Sequence, residues 1–374
     1  MRIAVNTRML RPRKMEGIGY FTFETMQRIT IKHPEHEFIF IFDRKFDPAF
    51  IFSDNIQPVI ISPPARHPIL WYIWYEWSLP QLFRKIRPEI FIGTDGYLSL
   101  NSKVPSIAVI HDLNFEHYPK DLPFFNRSFY RYYFPKYAEY ARRIVAVSEF
   151  TKNDIVNSYH INPRKIDVVY NGAGENFKPI KEDAAIKIRE RFSNGKPYFL
   201  FVGALHQRKN IANLLRAFDD FKKTVSSPLQ LILTGQKRWW TKEMEDVYNA
   251  MSFKNEVIFT GRVSEDELQK ITASAFALTY VSVFEGFGIP IIESMRCNVP
   301  VITSNVTSMP EIAGNAALFC DPFSCLSIRD AMLKMYNDSA FRNSLIEKGR
   351  IRQSYFSWQK SADELWKSIE KTIH

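Results

Sequence analysis

Short apolar runs recur along the chain, separated by longer stretches in which apolar residues return every three or four positions. In the first half, the runs Arg2–Asn6, Glu37–Phe42, Pro58–Ile61, Ile90–Gly93, Ser106–Ile110, Ile144–Val147 and Asp167–Tyr170 predict strands. Between them, Ile18–Thr30, Leu70–Lys85 and Phe124–Ala141 carry helical periodicity. The same alternation restarts at Pro197, with strands predicted at Tyr198–Val202, Leu229–Thr234, Val257–Phe259, Phe276–Tyr280 and Val299–Thr303. The intervening helices are predicted at Ile211–Val225, Lys242–Met251, Ser264–Ala273 and Pro290–Cys297. Helical patterns over Ser324–Tyr336, Ala340–Gln353 and Trp358–Ile373 close the chain. Strands that are apolar on both faces and spaced by helices belong to parallel sheets covered on both sides. The pattern therefore predicts an α/β protein of two doubly wound halves, joined by the polar stretch Gly172–Gly195. In such sheets ligands bind beyond the carboxyl ends of the strands, so the residues that follow strands are where chemistry is sought.

Composition narrows the class. A chain of 374 residues with 45% hydrophobic and 24% charged residues is globular, not disordered. Its three cysteines cannot all pair and have no CxxC spacing, which points to a reducing compartment. The start MRIAVNTRML lacks the continuous apolar core of a signal peptide, and no run of about 18 apolar residues occurs. Net charge is +10, spread evenly over the two halves. That suits anionic small molecules or an acidic membrane surface, and without a recognised motif it does not argue for nucleic acid.

The densest candidate chemistry lies in FEGFGIPIIESMRC. Glu285 sits in a Gly286-Phe287-Gly288 loop, Pro290 opens a helix, and Glu293 lies on it. Backbone N–H groups at such a helix start cradle anionic oxygens, and Glu293 can accept hydrogen bonds from vicinal hydroxyls; the bland alternative is a loop-to-helix junction with two solvated glutamates. Arg208 and Lys209 follow the strand Tyr198–Val202 and precede a helix, where cations are disfavoured unless an anion is bound nearby. His111 follows Ser106–Ile110, as a ligand-facing residue or as a histidine satisfied by backbone. His111, Glu116 and His117 lack a recognised metal spacing. Gly17 and Gly19 could let an acceptor or phosphate approach the backbone, or could simply serve a helix start. Trp71, Trp74 and Trp77, and the stretch FFNRSFYRYYFPKY with its Arg127, Arg131 and Lys136, read first as core stripes. Their alternatives are contact with a membrane or lipid-linked acceptor, or stacking on sugar rings.

The segment EGFGIPIIE, followed by VPVITS and SMPEIAGNAALFCDP, resembles the retaining GT-B glycosyltransferases of family 4. FVGALHQRKNIANLLRAF, VIFTGRVSEDEL, VIHDLNFEHYP, VSEFTKNDI and FSWQKSADEL extend the resemblance over the whole chain. It implies two Rossmann-like domains facing across a cleft, at residues 1–175 on the acceptor side and 176–355 on the nucleotide-sugar side, with 356–374 a terminal helix crossing back. The implied activity is transfer of a hexosyl unit, with a lean to mannosyl, from a UDP- or GDP-linked sugar to a hydroxyl of a glycan or lipid-linked acceptor. No metal and no further cofactor are implied, and the expected location is cytoplasmic, at most peripheral to the inner membrane face. By position, Glu285 and His111 match residues near the donor sugar, and Arg208 and Lys209 match the pair that meets the diphosphate. Gly203, Gly286, Phe287, Gly288 and Ile289 match donor-binding backbone, and Glu293 matches the ribose-holding glutamate. One departure stands out: Ala204 occupies a position where many relatives carry arginine. The rival expectations are a nucleotide-sugar epimerase on the same fold and a non-catalytic sugar-nucleotide-binding protein.

Overall fold

The computed structural model describes residues 1–12 and 15–373. The chain forms two compact units, Met1–Gly172 together with the segment from Ser357 onward, and Ala173–Phe356. In the first unit β1 (Arg2–Asn6), β2 (Glu37–Phe42), β3 (Ile56–Ile60), β4 (Ile90–Gly93), β5 (Ser106–Ile110), β6 (Arg143–Ala146) and β7 (Ile166–Val168) pair in the order β3-β2-β1-β4-β5-β6-β7. In the second, β8 (Tyr198–Val202), β9 (Gln230–Thr234), β10 (Val257–Gly261), β11 (Ala277–Tyr280), β12 (Val301–Ser304) and β13 (Ala317–Cys320) pair in the order β10-β9-β8-β11-β12-β13. Every pairing is parallel. Ile3, Ala4 and Val5 of β1, and Phe199, Leu200 and Phe201 of β8, are fully buried, as central strands covered on both faces require.

Strand order reverses between β1 and β4 in one sheet and between β8 and β11 in the other. Those reversals are the switch points at which doubly wound sheets hold ligands. At the second, the loops after β8 and β9 approach so closely that a side chain on Gly235 would meet the Gly203 carbonyl (1.8 Å from an added Cβ).

The terminal helix Trp358–Ile373 packs on the helix Gly17–Lys32, with Trp366 stacked on His33 (3.7 Å) and Lys32 paired to Asp363 (2.8 Å). It thus belongs to the first unit although it closes the chain.

Three expectations require correction. The stretch Gly172–Gly195 is not simply a linker, since Glu182–Ser193 forms a helix within the second unit. Its few apolar residues and dense charge hide it, because it buries little more than Ala185. The span Leu70–Lys85 is not one regular helix: Pro68–Ile73 and Leu79–Ile86 flank a wider π turn at Trp74–Ser78. Pro80 has no N–H to give the Glu76 carbonyl, and Asn101 Nδ2 donates to that carbonyl instead (3.2 Å). Finally, Val299 and Pro300 precede β12, because Asn298 turns left-handed (φ 58°) and the Val299 N–H returns to Ser294 (2.9 Å).

Candidate active site

The second switch point gathers most of the residues singled out in the sequence. The left-handed Asn210 (φ 62°) ends the short turn Gln207–Lys209, and its amide donates to the carbonyls of Val281 (3.0 Å) and Pro322 (2.6 Å). Val283 N–H reaches back to the Arg208 carbonyl (2.9 Å). The loops after β8 and β11 are therefore stitched together by the neutral Asn210 side chain and one backbone bond before any charged side chain acts.

Within this frame Glu285 is buried and Lys209 nearly so. Arg208 Nη1 donates to Glu285 Oε2 (2.9 Å) and to the Phe284 carbonyl (3.1 Å). Lys209 Nζ donates to Glu285 Oε1 and to the Tyr280 hydroxyl (2.7 Å), and that hydroxyl in turn donates to Glu285 Oε1 (3.0 Å). Burial alone would raise the Glu285 carboxyl, but the charges and hydrogen bonds of Arg208 and Lys209 outweigh it and hold the group at about 2. Burial, with the two neighbouring cations, pushes His206 down to about 4, so it stays neutral and caps the turn by accepting from the Arg208 N–H (3.2 Å). Two cations on one carboxylate leave a net positive centre that can receive a polyanion.

Beside this centre a helix begins. Gly288, left-handed at φ 96°, delivers the chain into Ile289–Arg296, with Pro290 in its first turn and no acid there. The Ser308 hydroxyl, shared between the carbonyls of Glu285 (2.9 Å) and Phe287 (3.1 Å), holds the Gly286–Gly288 loop, and the Phe287 ring packs on Phe356 (5.7 Å). Gly203 closes β8 at φ 142°, and Ala204 is exposed. Glu293 lies on the helix, half-buried. Burial, with a smaller push from Glu265, raises its carboxyl to about 8.

That shift has a testable sign. Between an ordinary carboxyl value near 4.5 and about 8, the folded chain keeps a proton that the unfolded chain releases, so stability falls as pH rises through that window. Glu293→Gln should raise the melting temperature at pH 9 and leave it unchanged at pH 4, measured by calorimetry. An equal change at both pH values would mean that the carboxyl is not ionised against its surroundings.

His111 belongs to the first unit, directly after β5. Its Nε2 lies 2.9 Å from the Thr94 carbonyl, which can only accept, so Nε2 carries a proton. Burial lowers its pKa against the opposing effects of that bond and of Asp112 and Asp95, leaving a neutral ring with its lone pair on Nδ1. The first unit's switch point is filled by its own ion pair, Arg8 Nε to Asp95 Oδ2 (2.6 Å), with Arg8 over the Tyr97 ring (4.4 Å).

Gly17 opens the helix Gly17–Lys32, and Gly19 lies in its first turn. Gly19 faces its own chain, because an added Cβ would stand 2.8 Å from the Met9 carbonyl and 3.3 Å from Met15 Cβ. That space is already taken, so packing against its own chain leaves no room for a side chain at Gly19. Glu116 and His117 are likewise engaged by Arg131 (3.1 Å) and Asp154 (2.7 Å). Among the described residues, one group has donor atoms close enough for a metal, His33, Glu35 and His36. It lies before β2, at the sheet edge opposite the strand ends that bear His111.

Tyr280 escaped the sequence reading because it looks like one more apolar strand residue. Its position as the last residue of β11, beside the end of β8, is the only signal. Tyr280→Phe keeps the ring and deletes the hydroxyl bridge between Lys209 and Glu285. A hydrogen bond to a charged group is worth about 1.5–3 kcal/mol, so turnover should fall roughly tenfold or more in steady-state assays, with little change in donor KM. A rise in KM at unchanged turnover would place the hydroxyl's effect on ground-state binding alone.

The family model described as glycosyl transferases group 1 matches residues 182–352, and that of Glycosyltransferase Family 4 matches residues 32–174, so together they take up most of the chain. The O-antigen chain mannosyltransferase B of Escherichia coli is 24% identical over 363 residues, covering 92% of this chain and 93% of the relative. The O-antigen chain mannosyltransferase RfbU of Salmonella typhimurium is 28% identical over 269 residues, 71% of each chain. Among solved structures, sucrose-phosphate synthase from Thermosynechococcus elongatus superposes with a TM-score of 0.78 at 16% identity, over 99% of this chain and 98% of the other. Anabaena HepE in complex with UDP-glucose gives 0.78 at 14% identity, over 99% and 100%.

Proposed function

Since the chain belongs to the group 1 glycosyltransferases of the GT-B fold, we propose that it moves a mannosyl unit, with retention at the anomeric carbon, from a nucleotide-diphosphate mannose to a hydroxyl of a glycan or lipid-linked glycan. The named mannosyltransferases among its relatives support the sugar and disfavour an epimerase. The observation that carries the reading is the convergence of Arg208 and Lys209 on buried Glu285 at the switch point, beside the start of the helix Ile289–Arg296.

In this reading the diphosphate lies against Arg208, Lys209 and the helix start, whose N–H groups and dipole favour anions. Negative charge grows on the leaving diphosphate as the glycosidic bond breaks, and the two cations stabilise it where it develops. They supply the positive charge themselves, so no metal is invoked. The developing positive charge on the sugar is met by Glu285, and the leaving phosphate oxygen takes the acceptor proton on the same face. His111, in the first unit, offers a lone pair at Nδ1 that can accept from a hydroxyl. Glu293 accepts from the ribose hydroxyls, which favours its ionised form, so nucleotide binding tightens as pH rises toward 8.

A thermal-shift panel of nucleotide sugars tests the donor, with GDP-mannose first. A ligand at a hundred times its Kd adds about 2.7 kcal/mol, so the donor should stand clear of the others. A panel in which a UDP-sugar alone shifts the transition would reassign the nucleotide, and no shift at all would remove the donor site.

A further inference from the structure

Within the first unit, the chain passes from the helix Gly17–Lys32 to β2 through the turn His33-Pro34-Glu35-His36. His33 ends the helix, its N–H returning to the Ile29 carbonyl (3.0 Å), and Pro34 has no N–H with which to extend it. One side chain then fixes the turn, since Asn55 Nδ2 reaches the carbonyls of Thr30 (3.1 Å), His33 (3.1 Å) and His36 (3.0 Å). Trp366 lies nearly parallel to both imidazoles, 3.7 Å from the His33 ring and 5.2 Å from that of His36. Its own Nε1 donates to Glu370 (2.9 Å), so the indole is held as well. The two histidines are thus positioned by packing and hydrogen bonds of the protein itself.

Their donor atoms converge on a carboxylate. Glu35 Oε1 stands 3.4 Å from His33 Nδ1 and 3.3 Å from His36 Nε2, and one donor atom of each residue lies within 4.8 Å of the other two. Zinc holds nitrogen and oxygen at about 2.0–2.2 Å, which sets neighbouring corners of its tetrahedron about 3.3–3.6 Å apart. Two edges of that tetrahedron are present, and a small rotation of one imidazole closes the third. Two imidazoles and a carboxylate are donors that zinc and its late first-row neighbours accept. The place also suits a cation, because the end of a 16-residue helix carries partial negative charge. His36 turns its other nitrogen, Nδ1, to the Met1 amine (3.1 Å), so an ion at Nε2 leaves the ring proton on that side. The imidazoles are 17% exposed and Glu35 58%, which opens a path to solvent along the carboxylate.

We propose that His33 Nδ1, His36 Nε2 and the Glu35 carboxylate bind one zinc ion, with water in the fourth position. The ion takes no part in sugar transfer, because the turn precedes β2, at the sheet edge opposite the strand ends that bear His111. Its effect falls on the terminal helix instead. Fixing both imidazoles fixes the surface on which Trp366 packs, and an ion held only by the folded chain stabilises that chain by mass action.

The test is calorimetric titration of zinc chloride into the full chain, free of any affinity tag and stripped with a chelator. One ion per chain is expected, with a Kd well below roughly 100 µM and a rise in melting temperature. Glu35→Gln, at an exposed position, should keep the fold and weaken zinc by at least about tenfold, since even residues that only orient a ligand are worth about 10–100-fold. His33→Asn with His36→Asn should abolish binding. Cupric ion at the same place should quench tryptophan fluorescence, and Trp366→Phe should remove that quenching. No binding up to roughly 100 µM zinc, or unchanged affinity in either ligand variant, overturns the proposal. Quenching that survives Trp366→Phe does the same, because the ion then lies elsewhere. Should the double histidine variant fail to fold, Glu35→Gln and the quenching decide the matter.

Discussion

Lys209→Ala should cut turnover by roughly a hundredfold to a thousandfold, the loss of about 2.7–4 kcal/mol typical of removing one donor aimed at developing negative charge. Donor binding should suffer less, because the charge on the departing phosphate is larger in the transition state than in the ground state. Lys209 is 8% exposed and held by both Tyr280 and Glu285, so its ammonium is aimed before any donor arrives. Arg208, whose guanidinium is also tied to the Phe284 carbonyl, should show a smaller effect. Ala204 is exposed beside the same turn, so Ala204→Arg should partly rescue the Lys209 variant. Single-turnover kinetics on the folded variant check this. Turnover within about twofold of wild type, well under 1 kcal/mol, would remove this lysine from the diphosphate.

That pair of cations was legible in the sequence because two basic residues between a buried strand and a helix contradict the helix dipole. Glu285 and Glu293 were legible as types and spacing. Their opposite titration was not, since it depends on which carboxylate meets cations and which meets only burial and Glu265. Tyr280 was invisible because its ring obeys the strand's apolar pattern while its hydroxyl performs the polar work. The packing demand on Gly19 was hidden for the converse reason: the contact that requires it comes from Met9, ten residues earlier, and no local pattern announces it. Strand cores such as β1, β2, β4 and β5 follow from unbroken apolar runs, whereas the helix Glu182–Ser193 buries too little to print a pattern.

Glu285→Ala should carry the second large effect, on the fold as much as on the reaction. Removing the carboxylate leaves Lys209 and Arg208 facing one another in a buried setting, and breaking a buried pair costs about 3–5 kcal/mol. Because Glu285 is held at about 2, below an ordinary carboxyl, the wild-type advantage is present above pH 4.5 and disappears as pH falls through about 2. Denaturant titrations at pH 7 and pH 2.5 should show a large gap between variant and wild type at the first and a reduced gap at the second. Glu285→Gln separates chemistry from stability. It relieves the cations of a competing anion, so free nucleotide diphosphate should bind at least as tightly, while turnover falls about a hundredfold for want of negative charge beside the sugar. A variant that loses nucleotide binding and turnover in equal measure would make Glu285 a scaffold for the loop.

The most direct measurement is proton NMR of the product formed from GDP-mannose and a soluble mannoside acceptor, followed alongside release of the nucleotide. A new α-linked mannoside, formed only with acceptor present and lost in the Lys209→Ala protein, is the predicted result. A β-linked product, or donor turned over without an acceptor, would contradict a retaining mannosyl transfer at the Arg208–Lys209–Glu285 centre.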